Sequence, residues 1–229
     1  MRIALPVKLA YTAFLAVLLP VYAYHYGPTN FLYFCDIALL LTLVGIWRED
    51  ALLISMCAVG ILAPQALWVA DFLGNCAGIH LTGMTDYMFN AQSPLFLRGL
   101  SFFHGWLPFL LVYLVWRVGY DRRAFARWTG LAWCVLLVCF FFMPGPRPNP
   151  GLTPVNINYV YGMSDTAAQT WMSAWAWFGL LLVALPVVLL APVHFVLRRW
   201  MPAAVPRRTG TSERVVAWQF RWPQPVVGA

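Results

Sequence analysis

Residues 51–73 read ALLISMCAVGILAPQALWVADFL, an apolar run that carries a single charge, Asp71, close to its end. About 20 such residues are what roughly 30 Å of hydrocarbon requires of a helix. The apolar positions are continuous, whereas a barrel strand would alternate, so the pattern selects a helix. Comparable runs lie at 5–24, 30–47, 94–116, 124–143 and 167–199. The chain therefore reads as an all-α polytopic membrane bundle of about six transmembrane helices. Of its 229 residues 62% are hydrophobic and 10% charged, and the mean hydropathy is +0.70. Ordinary soluble domains are about 25% charged, so this chain has too little polar surface to cover a water-soluble globule. Backbone groups unpaired in lipid are so costly that spanning pieces must be helices or closed barrels.

The basic residues set the expected orientation. Of the 15 Lys and Arg, only Arg98 and Arg147 fall on one side of this arrangement; the others, from Arg2, Lys8 and Arg48 through Arg117, Arg122, Arg123 and Arg127 to the arginines from Arg198 onward, fall on the other. By the positive-inside rule both termini are cytoplasmic, and the 74–93 and 144–166 loops lie outside. The natural location is the cell inner (plasma) membrane, as a multi-pass protein. Residues 1–201 form the transmembrane bundle, and 202–229, rich in Pro, Arg and Val without periodicity, form a flexible basic cytoplasmic tail near anionic lipid. Arg2, Lys8, the first apolar run and Val21-Tyr22-Ala23 imitate a signal peptide, but the long Tyr-rich exit favours retention as a helix. The Thr166-Ala-Ala-Gln169 pattern suggests a capping box for the last span, with Pro186 and Pro192 kinking it. The Pro- and Gly-rich 144–155 loop is expected to run extended over the surface.

The net charge of +7 is dispersed among apolar segments without an aromatic-interleaved patch, which argues for no nucleic-acid partner. Cysteines 35, 57, 76, 134 and 139 form no C-x-x-C and have no His pair at ligand spacing, so no metal site, disulfide framework or cofactor is signalled. The membrane lipid is the expected partner.

Ionisable groups inside hydrocarbon are functional candidates. Here they are Asp36, Asp71, Arg98 and His104, all placed in the outer half of the bilayer. The structural reading pairs Asp36 or Asp71 with Arg98. His104 shares a helix face with Ser101 and Pro108. Cys35, Ala38, Thr42 and Gly45 form a stripe that lets helices approach and turns the Cys35 thiol inward beside Asp36. A thiol with an imidazole in reach is the minimal arrangement for acyl transfer. Asn156, Asn158 and Tyr159 would present polar groups at the outer mouth.

Four stretches carry a resemblance: NFLYFCDIALLL at 30–41, FFHGWLP at 102–108, NINYVY at 156–161 and WAWF at 175–178. In this order they resemble the YwaF-like polytopic membrane proteins and their eukaryotic transmembrane acyltransferase relatives, and more distantly the androgen-induced hydrolases of fatty-acid esters. The resemblance implies a lipid ester substrate, Cys35 as nucleophile and His104 as base, with Asn158 and Tyr159 near the pocket. The hydrolase branch uses Thr, which keeps Thr42 and Ser101 open as alternatives. Two classes of function thus stand side by side: a lipid acyltransferase or ester hydrolase with a Cys/His pair, and a non-catalytic membrane protein, either a small-solute carrier or an assembly partner.

Overall fold

A computed structural model describes residues 3–91 and 93–204, so most of the expected basic tail lies outside the described residues. Five helices are long and apolar enough to cross a membrane: α1 (Leu5–His25), α3 (Ala51–Cys76), α4 (Leu95–Val118), α5 (Ala124–Phe142) and α6 (Ala174–Trp200). Between the first two lies α2 (Phe34–Arg48), of 15 residues, preceded by a 3-10 turn at Pro28–Leu32. No strand forms among the described residues, and the architecture is the expected all-α helical bundle. Its surface also fits a membrane protein, since Leu9, Phe109, Phe142, Val187, Val188 and Phe195 are all more than half exposed.

Of the about six expected spans, α2 is the one that falls short of full length. At 1.5 Å per residue α2 is about 22 Å long, short of the hydrocarbon thickness. Its helix starts late because Tyr33 is extended, at φ −63° and ψ 139°, separating the 3-10 turn from the α-helix.

Helix α3 occupies the centre, in contact with α2, α4, α5 and α6. A helix apolar on every side belongs inside a bundle, and the consecutive residues Cys57 to Ile61 are all buried. Its start is capped by Asp50, whose Oδ1 accepts the Leu52 and Leu53 amides at 2.9 and 3.2 Å. Two glycines permit close helix–helix approaches. A Cβ at Gly60 would stand 1.9 Å from Trp128 of α5, and one at Gly45 would stand 2.9 Å from Ile54. The small-residue stripe of α2 therefore serves packing: Ala38, Thr42 and Gly45 are all buried. Lys8 of α1 pairs with Glu49 of the α2–α3 turn at 2.8 Å.

The expected capping box at Thr166 does not begin a helix. Helix α6 begins at Ala174, with Ser173 Oγ accepting the Ala176 amide at 3.2 Å. The proline expectation resolves into a π-helical stretch at Leu185–Leu190. Pro186 has no N–H to offer the Leu182 carbonyl, which accepts from Trp133 Nε1 of α5 at 2.9 Å. The 144–155 loop also departs from a purely surface course. After exposed Gly151 to Thr153 the chain turns inward, burying Val155 and Asn156 and packing Ile157 and Val160 against α5 and α6.

Gly60→Ala is expected to lower the melting temperature of the detergent-solubilised protein, at an overpacking cost of about 1–3 kcal/mol. Gly130→Ala, where a Cβ meets nothing within 4 Å, is the control; equal melting of both variants would contradict the close α3–α5 contact.

Candidate functional site

The arginines at 117–127 and 198–199 mark one end of the bundle, here the basic end; the loops 77–90 and 143–173 cover the opposite, loop end. Most polar candidates gather under these loops. The start of α2 has no side-chain cap of its own. Asn158 supplies one from a distance, its Oδ1 accepting the Phe34 amide at 3.2 Å and its Nδ2 donating to the Leu32 carbonyl at 2.9 Å. Nδ2 also approaches Cys139 Sγ at 3.7 Å. Asn158 is left-handed at φ 58°, as are Asn156 at 48° and Tyr159 at 63°. Asparagine tolerates this region, whereas a tyrosine there costs on the order of 1 kcal/mol or more.

Cys35 is half-buried in the first turn of α2. Its Sγ lies 4.0 Å from Asp36 Oδ2, which also accepts from Asn30 Nδ2 at 3.0 Å. Asp36 is 3% exposed, and its Oδ1 is buried without a hydrogen-bond partner. Buried carboxylates normally have every oxygen satisfied. Tyr33 and Tyr159 stand within electrostatic reach of the same thiol. Burial pushes both hydroxyls above the usual phenol range, and the Asp165 carboxylate and Cys35 add to the effect.

His104 takes its hydrogen bond elsewhere. Both amide atoms of Gln65 meet its Nδ1, at 2.8 and 3.2 Å, and its ring lies against Trp68 and Phe103. Gln65 thereby orients the ring, and the tautomer sets which ring nitrogen, Nδ1 or Nε2, carries the proton. Cys35 and His104 are thus each fixed by a separate neighbour, and no hydrogen bond joins them. Ser101 and His104 do not share a continuous helix face: α4 breaks at Phe102 into Leu95–Ser101 and Phe103–Val118. Ser101 Oγ and Tyr22 OH are hydrogen-bonded at 2.8 Å.

The expected ion pair of Arg98 with Asp36 or Asp71 does not form. Asp71, fully buried, organises the 77–90 loop. Its Oδ1 accepts the Thr82 and Gly83 amides at 2.6 and 3.2 Å, and its Oδ2 accepts the Thr85 amide and hydroxyl at 2.9 and 2.6 Å. Backbone amides supplied by the loop replace the cation. Arg98 Nη1 donates to the Met88 carbonyl at 2.9 Å, and its Nε is buried without a partner.

Asn156 spends its side chain on its own loop, donating to the Gly162 and Ser164 carbonyls and accepting the Tyr161 amide. Neither Asn156 nor Asn158 keeps an amide free for a substrate. Residues that the sequence reading passed over are Asn30, Tyr33 and Gln65. Gln65 was legible, as an amide in the middle of a hydrocarbon-length run; Asn30, following Pro28 and Thr29, has the look of an ordinary turn residue.

Compared with known proteins, the chain matches no family model, no curated protein and no solved structure. Fold and site together describe a multi-helix membrane protein with a buried polar cluster under its loop end.

Asp71→Ala removes the acceptor of three loop amides, with charged hydrogen bonds worth about 1.5–3 kcal/mol each. Amide exchange across residues 79–89 is expected to accelerate at least tenfold while α1 stays protected; an unchanged loop would show that Asp71 does not organise it.

Proposed function

We propose that this integral membrane protein is an enzyme of lipid acyl esters, a transferase or hydrolase, with Cys35 as its nucleophile. The observation that carries the reading is the placement of the Cys35 thiol: first turn of a helix, beside a buried carboxylate with an unused oxygen. Asp36 Oδ2 is the nearest acceptor for the thiol proton. The thiolate then adds to the ester carbonyl, forming a C–S bond, and collapse breaks the C–O bond of the leaving alcohol. His104, held by Gln65, is assigned the relay of that thiol proton from Asp36 to the alcohol oxygen, which leaves both groups as they began. Hydroxyls of Tyr33 and Tyr159 suit the developing oxyanion, a role closed to Asn158, whose amide is engaged by Phe34 and Leu32. Water or a second hydroxyl attacks the thioester and regenerates the thiol. Residence in the inner (plasma) membrane belongs to this reading, and the arginine distribution supports placing the loop end outside.

The unpartnered Asp36 oxygen also favours a second reading, a carrier in which this carboxylate binds a small cation or proton. Proteoliposome flux that depends on Asp36 but not on Cys35 selects it.

Purified, folded Cys35→Ala is expected to lose lipid-ester cleavage at least a thousandfold. His104→Ala should lose about 10²–10⁴-fold, the usual worth of a positioned proton carrier. Parent-like cleavage by Cys35→Ala rules the proposal out.

A further inference from the structure

The basic end carries a second constellation, separate from the Cys35 cluster. After α4 the chain turns at Gly119, φ 89°, where a Cβ would stand 2.6 Å from the backbone of Ala204. Tyr120 then pairs with the segment leaving α6: its amide donates to Pro202 O at 2.6 Å and its carbonyl accepts from Ala204 N at 3.0 Å. Its hydroxyl and His194 Nδ1 of α6 are hydrogen-bonded at 2.6 Å. This clasp joins the 119–123 turn to the last two turns of α6.

Two arginines converge on it. Arg198 lies one helical turn beyond His194 on the same face, and Arg122 lies two residues beyond Tyr120; both act electrostatically on the His194 ring. Both are exposed, and among the described residues neither has an acidic partner. Arg123 is different, because Asp121 holds it at 2.7 Å. Exposed Trp116 and Trp200, amphipathic rings of the kind found at a membrane–water boundary, belong to the same end, together with exposed Phe195. Two unpaired guanidinium forks fit phosphate oxygens, and the aromatic surround fits acyl-chain necks.

We propose that the clasp of Tyr120, His194, Arg122 and Arg198 is a binding site for the phosphate of an anionic phospholipid headgroup. A free phosphate would satisfy the arginines but leave the exposed aromatic rings without a role, and this favours the lipid.

The test uses the purified full-length chain in detergent, titrated with labelled phosphatidylglycerol and, in parallel, phosphatidylcholine. The parent is expected to bind phosphatidylglycerol in preference. Each arginine near anionic lipid is worth roughly fivefold, so R122Q/R198Q should weaken that binding about thirtyfold. R117Q/R127Q, which removes two exposed arginines of the same end, should weaken it less than about threefold. All four side chains are exposed, so lipid-free melting should not change in either pair. Equal losses in the two pairs would reduce the effect to a diffuse field and overturn the site. Absence of a headgroup preference in the parent, or displacement of the lipid by millimolar inorganic phosphate, overturns it as well.

Discussion

The polar organisation of this bundle depends on one side chain, Asn158, reaching the start of a helix 124 residues earlier in sequence. In a low-dielectric environment an uncapped helix start is expensive, because each bare amide forfeits water without gaining a partner. Asn158 satisfies a donor and an acceptor on either side of Tyr33, and in doing so fixes where α2 begins. Cys35 and Asp36 are the next residues along, so their positions are inherited from that contact. The backbone that presents Asn158 is correspondingly unusual, with Asn156, Asn158 and Tyr159 all left-handed. Strain of this kind persists only where surrounding contacts over-determine it. Those contacts exist: Trp177 donates to the Tyr159 carbonyl at 2.8 Å, and Tyr161 OH donates to the Phe140 carbonyl at 2.6 Å.

Charge in the interior follows the same economy of partners. Asp71 and Arg98 looked like a pair in the sequence because opposite charges at similar depth should attract. Instead each found backbone groups of the 77–90 segment, Asp71 the amides and Arg98 a carbonyl. A loop folded over a helix end offers such groups at fixed distances, and they cost less side-chain entropy than a long arginine held in one geometry. Asp36 is the exception, with one oxygen supplied and one bare, and it lies beside the thiol.

Much of the architecture was legible in the sequence because hydrocarbon allows so few solutions. Five of the expected runs became long helices, and the helix ends fall within a few residues of the apolar boundaries except where a local device intervened. Extended Tyr33 shortened α2, and Ser173 rather than Thr166 capped α6. Both depend on backbone angles that hydropathy does not encode. The site was legible only in its membership. Cys35, Asp36, Asn158 and Tyr159 do come together, yet the partners of His104 and Asp71 were set by tertiary placement of Gln65 and of a loop, for which no short-range pattern exists. The inward turn of residues 154–160 was hidden by the prolines and glycines just before it, whose composition reads as surface.

The wide turn in α6 has a geometric meaning beyond the carbonyl that Trp133 meets. Phe178 and Leu197, both buried, are nineteen residues apart, which on an ordinary helix leaves them about 100° out of phase. One residue absorbed in the π-helical stretch at Leu185–Leu190 cancels that offset and brings both onto a common azimuth. The helix can thus seat its first half against α5 and its last turns against Tyr120 without twisting between them. Its two ends, one under the loops and one at the arginines, are kept in angular register by a single surplus residue.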